Sequence, residues 1–232
     1  MAAIPSPLHP LLAIVVVAAA VLVLLLPSPS LAGDADLLQD ICVADLTSTV
    51  KVNGFACKAG AVTSDDFYFK GLAVAGNTSA TATGSVVTAA NVEKIPGLNT
   101  LGVSLSRIDY APGGVNPPHT HPRATEVIFV LQGTLDVGFV TAAGNRLVAK
   151  TLSAGDVFVF PRGLVHFQRN AGDDAPAAVL SAFNSQLPGT QSLAAAMFAA
   201  EPEVPDAVLT KAFQVGTKEV EKIKARLAPK KG

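Results

Sequence analysis

Between Leu98 and Asn184 the chain consists of short apolar runs broken by turn residues about every 8–12 positions, a spacing that leaves few folds open. Glu126-Val127-Ile128-Phe129-Val130-Leu131 stops at Gln132-Gly133, and Leu135-Asp136-Val137-Gly138-Phe139-Val140 follows at once. Ala143-Gly144-Asn145 turns into Arg146-Leu147-Val148, and Gly155-Asp156 leads into Val157-Phe158-Val159-Phe160. Pro161-Arg162-Gly163 then leads into Leu164-Val165-His166-Phe167. Upstream, Leu101, Val103 and Leu105 alternate with glycine and serine, and Ala177 to Phe183 gives one more run. Strands this short, with turns at that spacing, predict an all-β sandwich or barrel.

The flanks have a different texture. From Asp34 to about Ala90 the chain is polar and irregular, with one apolar patch at Phe67-Tyr68-Phe69, and is expected to wrap the barrel. Gln191 to Ala200, Pro205 to Phe213 and Thr217 to Leu227 are rich in Ala, Leu, Lys and Glu. The last carries Val220, Ile223 and Leu227 at i, i+3 and i+7, which predicts C-terminal helices packed on the barrel or on a neighbouring subunit.

Leu11 to Leu26 is an unbroken apolar run, short of the ~20 residues that span a bilayer comfortably. Pro27-Ser28-Pro29 and Ser30-Leu31-Ala32-Gly33 follow, with small residues where a signal peptidase cuts, so residues 1–32 read as a cleaved secretory signal. No Lys or Arg precedes the run, which keeps an uncleaved signal anchor as the alternative. A formal charge of −1 gives no reason to expect nucleic acid or an anionic membrane as partner. The two cysteines, Cys42 and Cys57, are both near the start of the exported chain, where an even pair usually forms a disulfide. Two further metal ligands are the weaker alternative, because no CxxC or Cys/His spacing accompanies them. Asn77-Thr78-Ser79 is a glycosylation sequon in a Gly/Ser/Thr/Ala-rich stretch and is expected on an exposed loop.

Of the four histidines, His9 lies in the signal, and the other three are His119, His121 and His166. Pro117, Pro118 and Pro122 exclude a helix around His119 and His121. In an extended chain, residues i and i+2 point the same way, so both imidazoles can address one ion. Glu126 starts the next strand on the face of Ile128 and Val130, and a carboxylate buried there requires a cation. His166 follows the Pro161-Arg162-Gly163 turn and can lie beside Glu126 across the sheet. Three imidazoles and a carboxylate suit zinc, iron or manganese. Arg123 and Arg162 flank these segments; they either raise the local anion concentration at the mouth or serve in surface or interface salt bridges. No G-x-S-x-G nucleophile elbow and no glycine-rich phosphate loop is present.

Pro117-Pro118-His119-Thr120-His121-Pro122-Arg123-Ala124-Thr125-Glu126 and Gly155-Asp156-Val157-Phe158-Val159-Phe160-Pro161-Arg162-Gly163-Leu164-Val165-His166-Phe167 resemble the two cupin boxes of plant germin-like proteins. The likeness extends to Gln39-Asp40-Ile41-Cys42, to Gly54-Phe55-Ala56-Cys57, to Ala75-Gly76-Asn77-Thr78 and to Ser181-Ala182-Phe183-Asn184-Ser185-Gln186. The resemblance implies a cupin jelly-roll barrel over 91–190, an N-terminal extension over 33–90 and a helical segment over 191–232. It further implies manganese held by His119, His121, Glu126 and His166, and a secreted apoplastic glycoprotein assembled as a hexamer, a trimer of dimers. Two activities recur among such relatives, superoxide dismutation and oxalate oxidation. In the oxalate-oxidising germins two asparagines are thought to hold the substrate; one matches Asn116, but the other position is Ser106. A serine hydroxyl offers one donor where an amide offers two, so superoxide is the expected small oxygen-donor anion and oxalate the less favoured one. A non-catalytic storage or receptor-type metal binder is the alternative from another class.

Overall fold

The computed structural model describes residues 39–51 and 53–228, so the secretory signal expected over 1–32 lies outside the described residues. Two antiparallel five-stranded sheets face each other as a jelly-roll sandwich. The first sheet contains β1 (Ser85–Ala90), β2 (Ser104–Tyr110), β4 (Glu126–Gln132), β7 (Val157–Phe160) and β9 (Ala177–Phe183), in the order β1-β2-β9-β4-β7. The second contains β3 (Val115–Thr120), β5 (Thr134–Val140), β6 (Leu147–Ser153), β8 (His166–Asn170) and β10 (Gln191–Ser192), in the order β10-β3-β8-β5-β6. Between them Tyr110, Ile128, Val130, Leu135, Val137, Leu152, Phe160 and Val179 are fully buried. β1 belongs to the first sheet, pairing Val86 with Asp109 and Thr88 with Arg107, so the barrel begins before the boundary expected at residue 91. Its Val-Val-Thr core has the β-branched character that favours a strand.

The phase of β2 differs from the expectation. Leu101 and Val103 precede the strand, Leu105 faces outward, and Ser104, Ser106, Ile108 and Tyr110 face the interior. In β4 both faces are apolar: Glu126, Ile128 and Val130 point inward, while Val127, Phe129 and Leu131 are exposed on the outer face.

The N-terminal extension is a series of 3-10 turns pinned at two points. Cys42 and Cys57 are bonded to each other, and next to them the buried Asn99 donates from Nδ2 to the Phe55 carbonyl at 2.9 Å. Further along, Arg107 pairs with Asp109 at 2.8 Å and also donates to the Leu72 carbonyl, while Asp109 accepts from the Gly76 amide at 2.8 Å. These contacts lay the extension over β2.

Three helices follow the barrel, α1 (Leu193–Phe198), α2 (Asp206–Phe213) and α3 (Thr217–Leu227). Ser192 caps α1 through its side chain, and α1 and α2 both pack on α3. Within the predicted stripe Val220 is buried, Ile223 is half-buried and Leu227 is exposed. Lys224 holds the layer together, with Nζ 2.8 Å from Glu203 and 2.6 Å from Asp206. Among the described residues no helix is long and apolar enough to cross a membrane.

Candidate metal centre

His119 is the penultimate residue of β3, His121 follows the strand, Glu126 opens β4 and His166 opens β8. The prolines at 117 and 118 lack N–H donors, and the β3–β8 pairing shifts register between Asn116 and His119. The ladder resumes at His119, which sits opposite His166. Glu126 comes from the facing sheet and reaches the histidines across the interior rather than along one sheet, which corrects the expected cross-sheet neighbourhood of Glu126 and His166. The inward phase of Glu126 with Ile128 and Val130 is as expected.

The ligating atoms of the four residues lie within 4.8 Å of one another, and all four residues are buried. Glu126 Oε2 is 2.9 Å from His166 Nε2 and 3.2 Å from His121 Nε2. Phe160 stacks on His166 at 4.5 Å between centroids, and Phe183 meets His121 edge-on at 4.9 Å, so apolar rings hold both imidazoles in place.

The backbone fixes the protons. His119 Nδ1 lies 2.7 Å from the Pro117 carbonyl, His166 Nδ1 2.8 Å from the Leu164 carbonyl and His121 Nδ1 2.5 Å from the Gly189 carbonyl. A carbonyl only accepts, so each Nδ1 must carry the hydrogen, and each neutral ring then presents a bare lone pair at Nε2. For His121 and His166 that lone pair faces the carboxylate of Glu126 directly. Lone pair against carboxylate is repulsive in a buried space unless a proton or a cation lies between them. Burial works to raise the Glu126 pKa, but where a proton does lie between the carboxylate and the rings, hydrogen bonds and charge from His121 and His166 outweigh it and hold the group at about 2. Burial first, then repulsion from His166 when that ring is protonated, lowers His119 to about 4. Both groups therefore stand in the forms that bind metals, carboxylate and neutral imidazole. The donor set and its tautomers fit a divalent cation.

The other candidate residues lie partly beside this group and partly away from it. Asn116 and Ser106 both line the cavity beside it. Asn116 Nδ2 donates to Gln168 Oε1 at 2.7 Å, and Tyr110 donates its hydroxyl to the same oxygen at 3.2 Å. Asn77 is exposed at the start of a 3-10 turn, where its Oδ1 accepts from the Ser79 hydroxyl at 2.7 Å. Arg123 and Arg162 do not line the cavity; Arg123 Nε donates to the Leu187 carbonyl at 2.8 Å and Arg162 Nε to the Pro122 carbonyl at 3.1 Å. Sequence reasoning missed Gly189, whose contribution is a carbonyl oxygen. Pro188-Gly189 signals a turn but not its partner.

The cupin family profile matches residues 70–221. Germin-like protein 5-1 of Oryza sativa subsp. japonica is 81% identical over 215 residues, covering 93% of this chain and 96% of that protein. The rhicadhesin receptor of Pisum sativum is 64% identical over 198 residues, covering 85% of this chain and 90% of that protein. Among solved structures, recombinant oxalate oxidase in complex with glycolate superposes with a TM-score of 0.78 at 47% identity, covering 84% of this chain and 98% of the other.

Proposed function

The chain belongs to the germin-like proteins of the cupin family, and on that footing we propose that it is a secreted, manganese-binding apoplastic glycoprotein with superoxide dismutase activity. The observation that carries the metal reading is the set of three Nδ1–H tautomers, each fixed by a backbone carbonyl, around the single carboxylate of Glu126. His119, His121, Glu126 and His166 would hold the ion, one per subunit. Imidazole and carboxylate donors alone would favour copper or zinc by affinity, so the choice of manganese rests on the family resemblance. Bound there, manganese supplies a one-electron couple able to disproportionate superoxide into dioxygen and hydrogen peroxide. The protein's own part is to keep Glu126 ionised, to hold His119 neutral and to admit a small anion through the cavity that His119, His121 and Glu126 line.

Oxalate oxidation is the second reading, supported by the structural likeness to oxalate oxidase and by Asn116 in the cavity wall. Ser106 in place of a second amide weighs against it, as does the engagement of Asn116 Nδ2 with Gln168. A receptor-type or storage role without turnover is the third, supported by the 64% identity to the rhicadhesin receptor. Elemental analysis of the native protein combined with superoxide and oxalate assays separates the three. Robust oxalate-dependent peroxide formation would reverse the first two, and a metal-replete protein without either activity would favour the third.

Secretion rests on the apolar leader and the Ala32-Gly33 cleavage site, and glycosylation on the exposed sequon at Asn77. A homo-oligomer, in this family a hexamer, is supported by the outer face of the first sheet. Val127, Phe129 and Leu131 on β4 and Val157 and Val159 on β7 form a continuous exposed apolar surface there. Exposed apolar patches of this kind mark association surfaces.

A further inference from the structure

Asn53 precedes Gly54 in the N-terminal extension, between the bonded Cys42 and Cys57. Asn53 has a φ of +54° and Gly54 a φ of +147°, so the second position accepts only glycine without strain. The Asn53 side chain is exposed, and no described residue hydrogen-bonds it or the Gly54 amide. After several other asparagines the amide is occupied. Val92 donates to the Gln186 carbonyl at 3.1 Å, Ala171 to the Thr134 carbonyl at 2.9 Å and Arg146 to Thr141 Oγ1 at 3.1 Å, while Pro117 after Asn116 has no N–H to offer. Asn145 gives the sharpest comparison. It too is exposed, with a φ of +49°, but Arg146 beside it carries both a side chain and a bonded amide.

We propose that Asn53 is a site of spontaneous deamidation, set by the free Gly54 amide that follows it. The Gly54 nitrogen bonds to Asn53 Cγ, where no Cβ of its own crowds the approach, and the bond from Cγ to the side-chain nitrogen breaks. That nitrogen leaves as ammonia, carrying the proton that the Gly54 amide gave up. Water then opens the succinimide ring at either carbonyl and leaves aspartate or isoaspartate; one water is consumed, one ammonia is released and nothing is oxidised or reduced. Lys51 and Arg123 line the same cavity of about 310 Å³ as Asn53, against the single acid Glu93, and neither cation is ion-paired among the described residues. Their charge favours both the deprotonated amide that attacks and the carboxylate that results. The site is independent of the metal and superoxide readings.

The test incubates the full exported protein at mildly alkaline pH and follows each asparagine-bearing peptide by mass spectrometry, with enzymatic methyl labelling of isoaspartate. Asn53 is expected to lose its amide about tenfold faster than Asn145, the gain from a glycine neighbour with an open amide. Asn53→Gln should abolish the fast phase of ammonia release, because the longer side chain closes a larger ring more slowly. Arg146→Gly makes a second Asn-Gly sequence whose amide Thr141 still holds, so Asn145 should remain slower than Asn53 in the folded protein and match it in denaturant. Lys51→Ala, or salt that screens exposed charges, should slow the reaction at Asn53 about twofold. Loss at Asn53 no faster than at Asn145 in the unmodified protein overturns the proposal. Equal rates at the two positions in folded Arg146→Gly protein overturn the part assigned to the open amide, and a rate indifferent to Lys51 and to salt overturns the part assigned to the cations.

Discussion

His121 and Gly189 are joined by a hydrogen bond from Nδ1 to the carbonyl oxygen at 2.5 Å, and this is the one ligand-group histidine held by a distant part of the chain. His119 and His166 each bond the carbonyl two residues before them, so their orientation is a local property of β3 and β8. His121 depends instead on the Leu187–Thr190 segment, which Arg123 braces from outside through the Leu187 carbonyl, while the Arg123 amide reaches the Pro188 carbonyl at 3.3 Å. The same segment leads directly into β10, whose Ser192 pairs with His119. The first turn of the C-terminal helical layer is thereby tied to two members of the group.

Gly189 has a φ of +71°, a conformation that other residues adopt only with strain, and a Cβ there would stand 2.6 Å from Arg123 Nη2. Gly189→Ala should therefore shift the carbonyl that orients His121 and lower metal affinity by about 10–100-fold, the usual effect of losing a partner behind a ligand. Arg123→Ala should act in the same direction and less strongly. Competition with a chromophoric chelator measures both, with circular dichroism confirming that the barrel is retained. Unchanged affinity in both variants would show that His121 needs no brace.

At His119 and Glu126 protons should compete with the metal only in acid. His119 is neutral above about pH 4 and Glu126 is ionised above about pH 2, so proton competition at these two positions begins well below neutrality. The stability of the metal-free protein follows with a definite sign. A histidine lowered from 6.5 to about 4 binds fewer protons folded than unfolded between those values, so stability falls as pH drops through that window. The lowered Glu126 adds a loss at still lower pH, below the ordinary carboxylate value of 4.5. Thermal melts of chelator-treated protein from pH 7 to pH 4 should show a steadily falling midpoint, and metal-loaded protein should melt higher throughout. A midpoint that rises on acidification would contradict the assigned direction.

Much of this architecture was legible because strand spacing, turn residues and histidine placement are local signals. The i, i+2 pair in a proline-bound segment and Glu126 in phase with Ile128 and Val130 were enough to nominate the ligand group. The phase of β2 was misleading because Leu105, its one leucine, faces outward, and hydrophobic alternation does not say which side is the core. The role of Arg123 was equally hidden, since a charge beside a ligand segment reads as steering until its hydrogen bond to the Leu187 carbonyl is seen. The Gly189 carbonyl has no side-chain signature at all.

The Cys42–Cys57 disulfide ties an extension that has little core of its own. Val43 and Ala44 are buried, Ala44 bridges to Cys57, and Asn99 joins the loop to the barrel. With a sequence separation of 15, the chain-entropy model assigns the bond about 3 kcal/mol. Cys42→Ser together with Cys57→Ser should lower stability by up to that amount in chemical denaturation and leave metal stoichiometry unchanged, because the bond lies outside the ligand group. No free thiol should titrate in the unfolded, unreduced wild-type protein.

The last prediction concerns the outer face of β4 and β7. A strand with one face in the core normally places polar residues on the other, yet β4 exposes Val127, Phe129 and Leu131, and its partner β7 exposes Val157 and Val159 opposite two of them. The extension covers the neighbouring part of the same sheet through Arg107 and Asp109 on β2 but leaves these residues open. A second copy of the chain would cover them in the homo-oligomer proposed above. Phe129→Lys combined with Val157→Lys places cations on facing positions of the pair and should reduce the mass found by light scattering at micromolar concentration, while the barrel stays folded because neither side chain enters the core. Removing residues from Thr217 onward should lower the mass as well, by exposing the helical layer that α3 holds together through Val220 and Lys224. If the unmodified protein is a monomer, the assembly reading fails; if it is an oligomer whose mass the double lysine variant leaves intact, the interface lies on another face.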